Sequence, residues 1–298
     1  LDPDAPIIHI FTSGTTGEPK GVSLPVRALS CIEAYAEFAY DLRQTDVFWN
    51  AADPGWAYGL YCGILATLTT GTPAILFEGG FSAQATIDII EKQKITNFAA
   101  APTVYRSLRA DGIEISNRHK LRCLSSAGEP LTPEINEWAK SFFGLSVHDH
   151  YGQTETSMVI NNHHHPELKT ELRDGSMGKV MPGWSATVLK NNEDIPEQPN
   201  VAGRVAFIID KSPFSWFTGY IGNRKKSAEK FSKDKKYYLT GDTGSVDKDG
   251  YFYFSTRDDD VIIMAGYRIG PFEVESALST HEAVAECAVI ATPDKVRG

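Results

Sequence analysis

Residues 73–109 read PAILFEGGFSAQATIDIIEKQKITNFAAAPTVYRSLR, and short apolar runs alternate there with longer amphipathic ones. The apolar runs predict strands at 74–77 and 95–100, and the amphipathic runs predict helices at 82–94 and 102–109. Alternating strands and helices predict a mostly parallel sheet with helices on both of its faces. This stretch therefore indicates an α/β fold with a doubly wound sheet.

The same alternation extends to both sides of this stretch. Further strands are predicted at 47–51, 121–125 and 146–150, and further helices at 59–68 and 133–143. Thr132 is a suitable N-cap for the last of these helices, and Pro133 suits its first turn. We therefore assign residues 1–164 to one α/β subdomain.

The pattern changes after residue 161, where Gly, Pro and Asn separate short β-prone runs. These runs lie at 185–189, 204–209, 237–239 and 251–254. They predict a small antiparallel barrel or sheet over residues 165–256. A charged turn, a helix at 271–278 and an apolar strand at 283–291 then predict that residues 257–298 begin a small α+β domain.

Composition narrows the class of partner. The 298 residues carry a formal charge of −9, which argues against nucleic acid, and the basic cluster at 224–236 is interleaved with acids and predicts a solvated face. No apolar run reaches membrane-spanning length.

The four cysteines lie far apart, which favours reduced thiols and a cytoplasmic location. His163, His164 and His165 are contiguous, which favours a loop over a metal site.

The stretch from Ile7 to Gly21 predicts a phosphate-binding loop. An apolar strand runs into a loop rich in glycine and hydroxyl groups, and a helix is predicted after it at 26–42. The candidate phosphate-binding residues are Thr12, Ser13, Gly14, Thr15, Thr16, Gly17 and Lys20. Pro19 stands five residues after Gly14, where a Walker loop needs the glycine before its lysine, so a P-loop NTPase is disfavoured.

Two further loops carry polar side chains after predicted strands. Tyr151 to Thr156 offers an aromatic face at Tyr151, a hydroxyl at Thr154 and a possible Mg²⁺ ligand at Glu155. Asp242 stands between glycines in the run from Thr240 to Gly244. From the residues alone, a turn with a surface glutamate and a turn-capping aspartate explain these loops about as well.

These motifs together resemble the adenylate-forming superfamily of acyl-CoA synthetases, luciferases and peptide-synthetase adenylation domains. The matching segments follow one another in the family's order along the whole chain. They are Thr12–Gly21, Gly128–Pro130, Tyr151–Glu155, Tyr238–Gly244 and Arg257–Gly270. The resemblance implies ATP, Mg²⁺, coenzyme A and a small carboxylic acid as ligands, and an AMP-forming acyl-CoA synthetase as the activity.

The resemblance also implies a role for each matching residue. Lys20 and the loop would hold the phosphates, Thr154 would touch the α-phosphate, and Glu155 would hold Mg²⁺. The adenine and ribose would meet Gly128, Glu129, Pro130, Asp149, Tyr151, Asp242 and Arg257. Asp259 would be the hinge of the small domain, and Arg268 would face phosphate or coenzyme A in one of its orientations.

The acyl pocket is implied by two positions. Trp56, in Asp53-Pro54-Gly55-Trp56, reads as a core aromatic on pattern alone, but the matching segment of acetyl- and medium-chain acyl-CoA synthetases lies near the acyl carboxylate. Gly152 stands where acetate-activating relatives have a tryptophan. The resemblance therefore implies an acid longer than acetate.

The chain departs from the family at both ends. Compared with the family it lacks an N-terminal subdomain and the segment with the catalytic lysine, so we expect a piece of a larger enzyme that is weak or inactive alone. Two alternatives remain, an adenylation domain that charges a carrier protein and a non-catalytic ATP-binding module. The sequence leaves the oligomeric state open.

Overall fold

The computed structural model describes residues 2–12, 19–116, 119–257, 260–264, 267–279, 281, 284 and 287–293. The strands are β1 Pro6–Thr12, β2 Lys20–Pro25, β3 Phe48–Asn50, β4 Ala74–Ile75, β5 Asn97–Ala100, β6 Cys123–Ala127, β7 Val147–Gln153, β8 Ser157–Asn161, β9 Ser176–Val180, β10 Ala186–Leu189, β11 Gly203–Ile208, β12 Tyr237–Val246, β13 Phe252–Arg257, β14 Ile262–Met264 and β15 Tyr267–Ile269.

The helices are α1 Ala28–Phe38, α2 Ala66–Thr70, α3 Ala83–Lys92, α4 Pro102–Ala110, α5 Pro133–Phe143, α6 Arg224–Glu229 and α7 Pro271–Ser279. Wide π-helical turns over Tyr58–Leu65 lead directly into α2. Helix α5 begins after Thr132 with Pro133 in its first turn and ends at Gly144, whose φ of 70° is the left-handed conformation that glycine adopts readily.

Eleven strands form one sheet in the order β10-β11-β12-β13-β9-β8-β7-β6-β5-β3-β4. The pairs from β4 to β7 are parallel, whereas every pair from β7 to β10 is antiparallel. The α/β fold class is therefore confirmed. The division at residue 164 stays a prediction, since hydrogen bonds continue across the sheet at that point.

Helices cover both faces of the parallel strands, and neighbouring residues of a strand point to opposite faces. Phe48 packs on the side of α1 and the π-helical turns, while Trp49 packs on the side of α3, α4 and α5. Ala99 and Phe98 divide in the same way on β5. Two apolar cores therefore hold the central strands in place.

The structure corrects two sequence predictions and leaves a third unconfirmed. The predicted phosphate loop is not followed directly by a helix, because β2 intervenes and pairs antiparallel with β1, burying Val22 and Leu24. A closed barrel is not confirmed, since within the described ranges β10 has one neighbouring strand, β11. Residues 284 and 287–291 form no strand, and the amide of Val289 bonds to the side chain of Glu275 instead of to a neighbouring strand.

Candidate active site

The β1–β2 hairpin brings Lys20 to the centre of the candidate site. Thr12 pairs with Lys20 at the end of the hairpin. Val22 forms a bridge to Tyr220, and the Nζ of Lys20 lies 5.4 Å from the centre of the Tyr220 ring. Lys20 thus lies next to a tyrosine that the sequence did not indicate, and the phosphate-binding role of Lys20 and Thr12 stays a prediction. Ser13, Gly14, Thr15, Thr16 and Gly17 lie outside the described residues.

Glu155 is a buried carboxylate in the turn that follows β7. Its side chain is 7% exposed, and its Oε1 accepts a hydrogen bond from the hydroxyl of Tyr220. Burial, followed by the charge of Glu155, raises the pKa of Tyr220, so this phenol stays protonated and donates. The alternative of a surface glutamate is therefore wrong. The backbone carbonyl of the neighbouring Thr154 accepts a hydrogen bond of 3.0 Å from Tyr61.

Asp242 on β12 is held by donors from β7. Its Oδ2 accepts hydrogen bonds from the hydroxyl of Tyr151 at 2.5 Å and from Nε2 of Gln153 at 2.7 Å. The hydroxyl of Tyr238 donates to Oε1 of Gln153 at 2.8 Å and fixes the orientation of that amide. Gly241 has a φ of 79°, which explains the glycine before Asp242.

The charge of Asp242 is incompletely compensated within the described part of the chain. Burial raises its pKa, and the hydrogen bond from Tyr151 and the charges of Lys230 and Arg257 offset this only in part. Arg257 faces Asp242 across the β12–β13 pair, but its Nε lies 3.9 Å from Oδ1 and its side chain is 58% exposed. Oδ1 thus points at a loosely held guanidinium, an arrangement suited to a ligand with hydroxyl donors.

The residues predicted to line adenine lie at the ends of two paired strands. Gly128, with a φ of 94°, follows β6, and Ser126 pairs in register with Asp149 on β7. Asp149 lies two residues before Tyr151 and therefore on the same face of β7. Burial raises the pKa of Asp149 well above its ordinary value. Glu129 accepts hydrogen bonds from Thr103 at 2.7 Å, and Pro130 follows it.

Trp56 and Gly152 are the two residues that were predicted to line the acyl pocket. The Trp56 side chain is 65% exposed, so the core alternative is wrong and the indole is available to a ligand. A Cβ on Gly152 would lie 2.0 Å from the carbonyl oxygen of Ser157, because the β7–β8 hairpin closes tightly there. A side chain at position 152 would thus clash with the backbone, which explains the glycine there. The role of Gly152 in the acyl pocket stays a prediction.

Other sequence-predicted groups are also located. Residues 163–165 adopt irregular backbone as predicted, and burial lowers the pKa of His163 to about 4. No cluster of metal ligands occurs among the described residues.

Arg268 lies in β15, but its side chain is outside the described part of the chain, and Asp259 lies outside it altogether. The basic cluster at 224–236 is mostly exposed, except that Lys230 turns inward, which corrects the prediction of a uniformly solvated face.

Sequence reasoning did not single out Gln153, Tyr220 or Lys230. Gln153 lies inside the motif from Tyr151 to Glu155, so the sequence indicated its segment. Nothing in that motif predicted its hydrogen bond to Asp242. Tyr220 and Lys230 follow no local pattern that indicates a site, because their contacts to Glu155 and Thr240 are made across 65 and 10 residues of chain.

The chain belongs to the AMP-binding enzyme family, whose model matches residues 1–220. The model of the AMP-binding enzyme C-terminal domain matches residues 273–298. The class of protein to which the chain belongs is thus that of the AMP-binding enzymes.

Individual relatives agree with this membership. The chain is 38% identical over 97% of its length to Acyl-coenzyme A synthetase ACSM3, mitochondrial, of Rattus norvegicus, and covers 49% of that protein. The acyl-CoA synthetase of Brucella canis is 46% identical, with a TM-score of 0.80 over 100% of this chain and 53% of that one. ATP-bound MatB from Rhodopseudomonas palustris is 26% identical, with a TM-score of 0.89 over 100% of this chain and 57% of that one.

The chain spans about half the length of the curated relatives it matches. No helix within the described ranges is both long and apolar enough to cross a membrane.

Proposed function

We propose that the full-length protein is an AMP-forming acyl-CoA synthetase. In the first step a carboxylate oxygen of the acid attacks the α-phosphorus of ATP, and pyrophosphate leaves. In the second step the thiol of coenzyme A attacks the acyl carbonyl, AMP leaves, and the thiol loses its proton. The observation that supports this best is the convergence of Lys20, Glu155 and Asp242, from three distant segments, through Tyr220, Tyr151 and Gln153.

Each part of the nucleotide has a matching group. Asp242 accepts the ribose hydroxyls, and the hydrogen bonds from Tyr151 and Gln153 keep its carboxylate in place. Tyr151 offers its ring to adenine, whose amino group suits the buried carboxyl of Asp149. Lys20 supplies positive charge to the phosphates, which repel the attacking carboxylate unless charge and donors are already in place.

Glu155 is suited to hold Mg²⁺. It is a buried carboxylate with one oxygen oriented by Tyr220, and Mg²⁺ is commonly held by one or two carboxylates together with substrate phosphates and water. When bound, the ion would neutralise phosphate charge during loss of pyrophosphate. Thr154 adjoins Glu155 in the same turn and would touch the α-phosphate.

We also propose that the acid is longer than acetate and that the exposed indole of Trp56 contacts it. Gly152→Trp is a poor test, because any side chain at this position meets the backbone of Ser157. Trp56→Ala is a better one. In the full-length protein it should raise the KM for the acid while the KM for ATP stays within about twofold.

A carboxylic-acid panel scored by pyrophosphate release, with and without coenzyme A, tests the proposal on the full-length protein. An acyl-CoA synthetase releases pyrophosphate with its acid and forms the thioester only when coenzyme A is present. Acyl transfer to a phosphopantetheinyl protein but not to coenzyme A would favour the carrier-charging alternative. ATP binding without any acyl-AMP would favour the non-catalytic module.

Two expectations from the sequence stay predictions. The chain of 298 residues is expected to be weak or inactive alone, which pyrophosphate exchange by this chain beside the full-length protein would test. The cytoplasmic location is based on dispersed cysteines, whereas the name of the rat relative places that protein in mitochondria. Fractionation of cells that express the full-length protein would decide between the two.

A further inference from the structure

Lys230 differs from its neighbours in the basic cluster. It directly follows α6, and its carbonyl accepts a hydrogen bond of 2.8 Å from the amide of Leu239, so its backbone lies beside β12. Arg224 and Lys225 of the same segment are exposed, whereas Lys230 is partly buried. The backbone pairing thus aims one lysine of this cluster at the interior of the candidate site.

The ammonium group of Lys230 contacts the backbone that carries Asp242. Its Nζ donates to the carbonyl of Thr240 at 2.7 Å, and the same carbonyl accepts Nε2 of Gln153 at 2.9 Å. Nζ also lies 3.8 Å from the position that a Cβ would take on Gly241. Two donors from separate segments therefore fix the carbonyl that precedes the glycine and the aspartate.

The charges around Lys230 come from the site itself. Burial lowers the pKa of Lys230, whereas the carboxylates of Glu155 and Asp242 raise it and the cations Lys20 and Arg257 lower it. Its Nζ lies 5.4 Å from the centre of the Tyr238 ring, whose face also favours a cation. An ammonium has three donors, so the hydrogen bond to Thr240 leaves others for water or a ligand.

Four groups face Asp242 from the elements packed against it. Tyr151 and Gln153 on β7 donate hydrogen bonds, while Lys230 after α6 and Arg257 on β13 carry positive charge. Arg257 is 58% exposed, so water screens its attraction. Lys230 is partly buried, so water screens its attraction to Asp242 less than it screens that of Arg257.

We propose that Lys230 is a positioning residue of the nucleotide site, which anchors the Thr240–Asp242 backbone and supplies the positive charge beside which Asp242 meets the ribose as a carboxylate. This inference rests on the proposed function, because it deepens the role given there to Asp242.

AMP binding by the full-length protein, measured by calorimetry from pH 5 to pH 9, tests the inference. Lys230→Met should weaken AMP binding about tenfold at pH 7, the size expected for loss of one charged contact. The decline of affinity at low pH should also begin at a higher pH, because Asp242 loses the positive charge of Lys230. Lys230→Arg keeps the charge and should bind within about threefold of wild type.

Two more variants separate charge from structure. Lys230→Gln can still donate to Thr240 but lacks the charge, so it should show the shifted pH profile with a melting temperature near that of wild type. Lys225→Met removes an exposed lysine from α6 and should change neither quantity.

Three results would overturn the inference. The first is wild-type AMP affinity in Lys230→Met. The second is a loss that is equal at every pH and not restored by arginine, which would indicate a structural role alone. The third is an unshifted profile in Lys230→Gln. Failure of the wild type to bind AMP would instead overturn the proposed function, so the two failures are distinguishable.

Discussion

Two clusters of charged side chains lie at opposite ends of the central strands. The amino-end cluster comprises Asp41, Arg43, Asp46 and Arg122, to which the hydroxyl of Thr96 adds a hydrogen bond, and these residues precede β3, β5 and β6. The carboxyl-end cluster comprises Lys20, Glu155, Lys230, Asp242 and Arg257. Both bury carboxylates, but only the first satisfies them with close charged partners.

The guanidinium of Arg122 illustrates the first arrangement. Its Nε donates to Asp46 at 2.8 Å and its Nη1 donates to Asp41 at 2.8 Å, and its Nη2 bonds both segments as well. Asp242, by contrast, accepts from a phenol and an amide, and its nearest guanidinium is 3.9 Å away. Buried charges that are fully paired stabilise one structure, whereas incompletely paired ones gain most when a ligand arrives.

The largest expected effect is at the amino end. Arg122→Met leaves Asp41 and Asp46 without their shared partner, and loss of one side of a buried ion pair destabilises by about 3–5 kcal/mol. Urea unfolding of the nucleotide-free protein measures this. Arg109→Met, on the exposed side of α4, serves as the control and should change the free energy of unfolding by less than about 0.5 kcal/mol. A small effect of Arg122→Met would erase the contrast between the two clusters.

At the carboxyl end, binding should suffer more than stability. Asp242→Asn removes the negative charge and replaces one of the two acceptor oxygens by an NH2 donor, so it should weaken AMP binding about a hundredfold, or about 2.7 kcal/mol, in calorimetry. The free energy of unfolding should stay equal or rise, since a buried charge is removed. Asp88→Asn, an exposed carboxylate on α3, is the matched control. A stability loss as large as that of Arg122→Met would mean that both clusters are structural.

A smaller effect is expected at Tyr220. Tyr220→Phe removes the hydrogen bond that orients Glu155, and loss of such a supporting contact weakens metal binding about tenfold. The Mg²⁺ concentration needed for half-maximal pyrophosphate exchange should rise accordingly. Tyr251→Phe removes a hydrogen bond to the carbonyl of Glu171, away from the site, and should leave this concentration unchanged. An unchanged Mg²⁺ requirement in Tyr220→Phe would separate Glu155 from the metal.

The smallest effect concerns pH, where the two clusters should respond in opposite directions. Burial alone would raise the pKa of Asp46, but hydrogen bonds from Arg122 and Thr96 outweigh it and lower the pKa below 3.8. Its stabilisation is therefore present above pH 3.8 and is lost as the pH falls through the folded-state pKa. The pKa of Asp242 is raised above 3.8, so stability decreases as the pH rises from 3.8 through the folded-state value.

Unfolding of Asp46→Asn and Asp242→Asn between pH 3 and pH 7 tests these signs. Asp46→Asn should be less stable than wild type at pH 7, by about 1.4 kcal/mol per unit of pKa difference, and the deficit should shrink below pH 4. Asp242→Asn should be at least as stable as wild type at pH 7, with its advantage shrinking towards pH 4. Equal pH dependence in the two variants would contradict the comparison.

The parallel half of the fold could be predicted from local patterns. Helix α5 begins and ends where its sequence indicates, because Pro133 and Gly144 act on adjacent backbone, although the hydroxyl of Thr132 donates to the side chain of Glu134 and does not cap the helix backbone. The sequence also singled out Glu155, Asp242 and Tyr151, since each stands in a short motif, and their roles in the site stay predictions. Of these three residues, Glu155 lies in the turn between β7 and β8, whereas Tyr151 and Asp242, for which loops were predicted, lie within β7 and β12.

Long-range pairing set the limit of prediction. Strand β2 was not predicted, because its conformation depends on pairing with β1. The strands at 185–254 were expected to form a separate small barrel or sheet, but they extend the main sheet. The sequence does not distinguish Lys230 from its exposed neighbours. Its direction is set by the hydrogen bond between its backbone and that of Leu239. The exposure of Trp56 and the tight approach at Gly152 likewise depend on tertiary contacts.

A double-mutant cycle between Asp242 and the ribose hydroxyls tests the central claim most directly. Calorimetry would compare AMP with 2′,3′-dideoxy-AMP on the full-length wild type and on Asp242→Asn. If Asp242 accepts the ribose hydroxyls, wild type should prefer AMP by about thirtyfold, a coupling of about 2 kcal/mol, and Asp242→Asn should lose most of that preference. An equal preference for AMP in both proteins would contradict the assignment of this carboxylate to the nucleotide site.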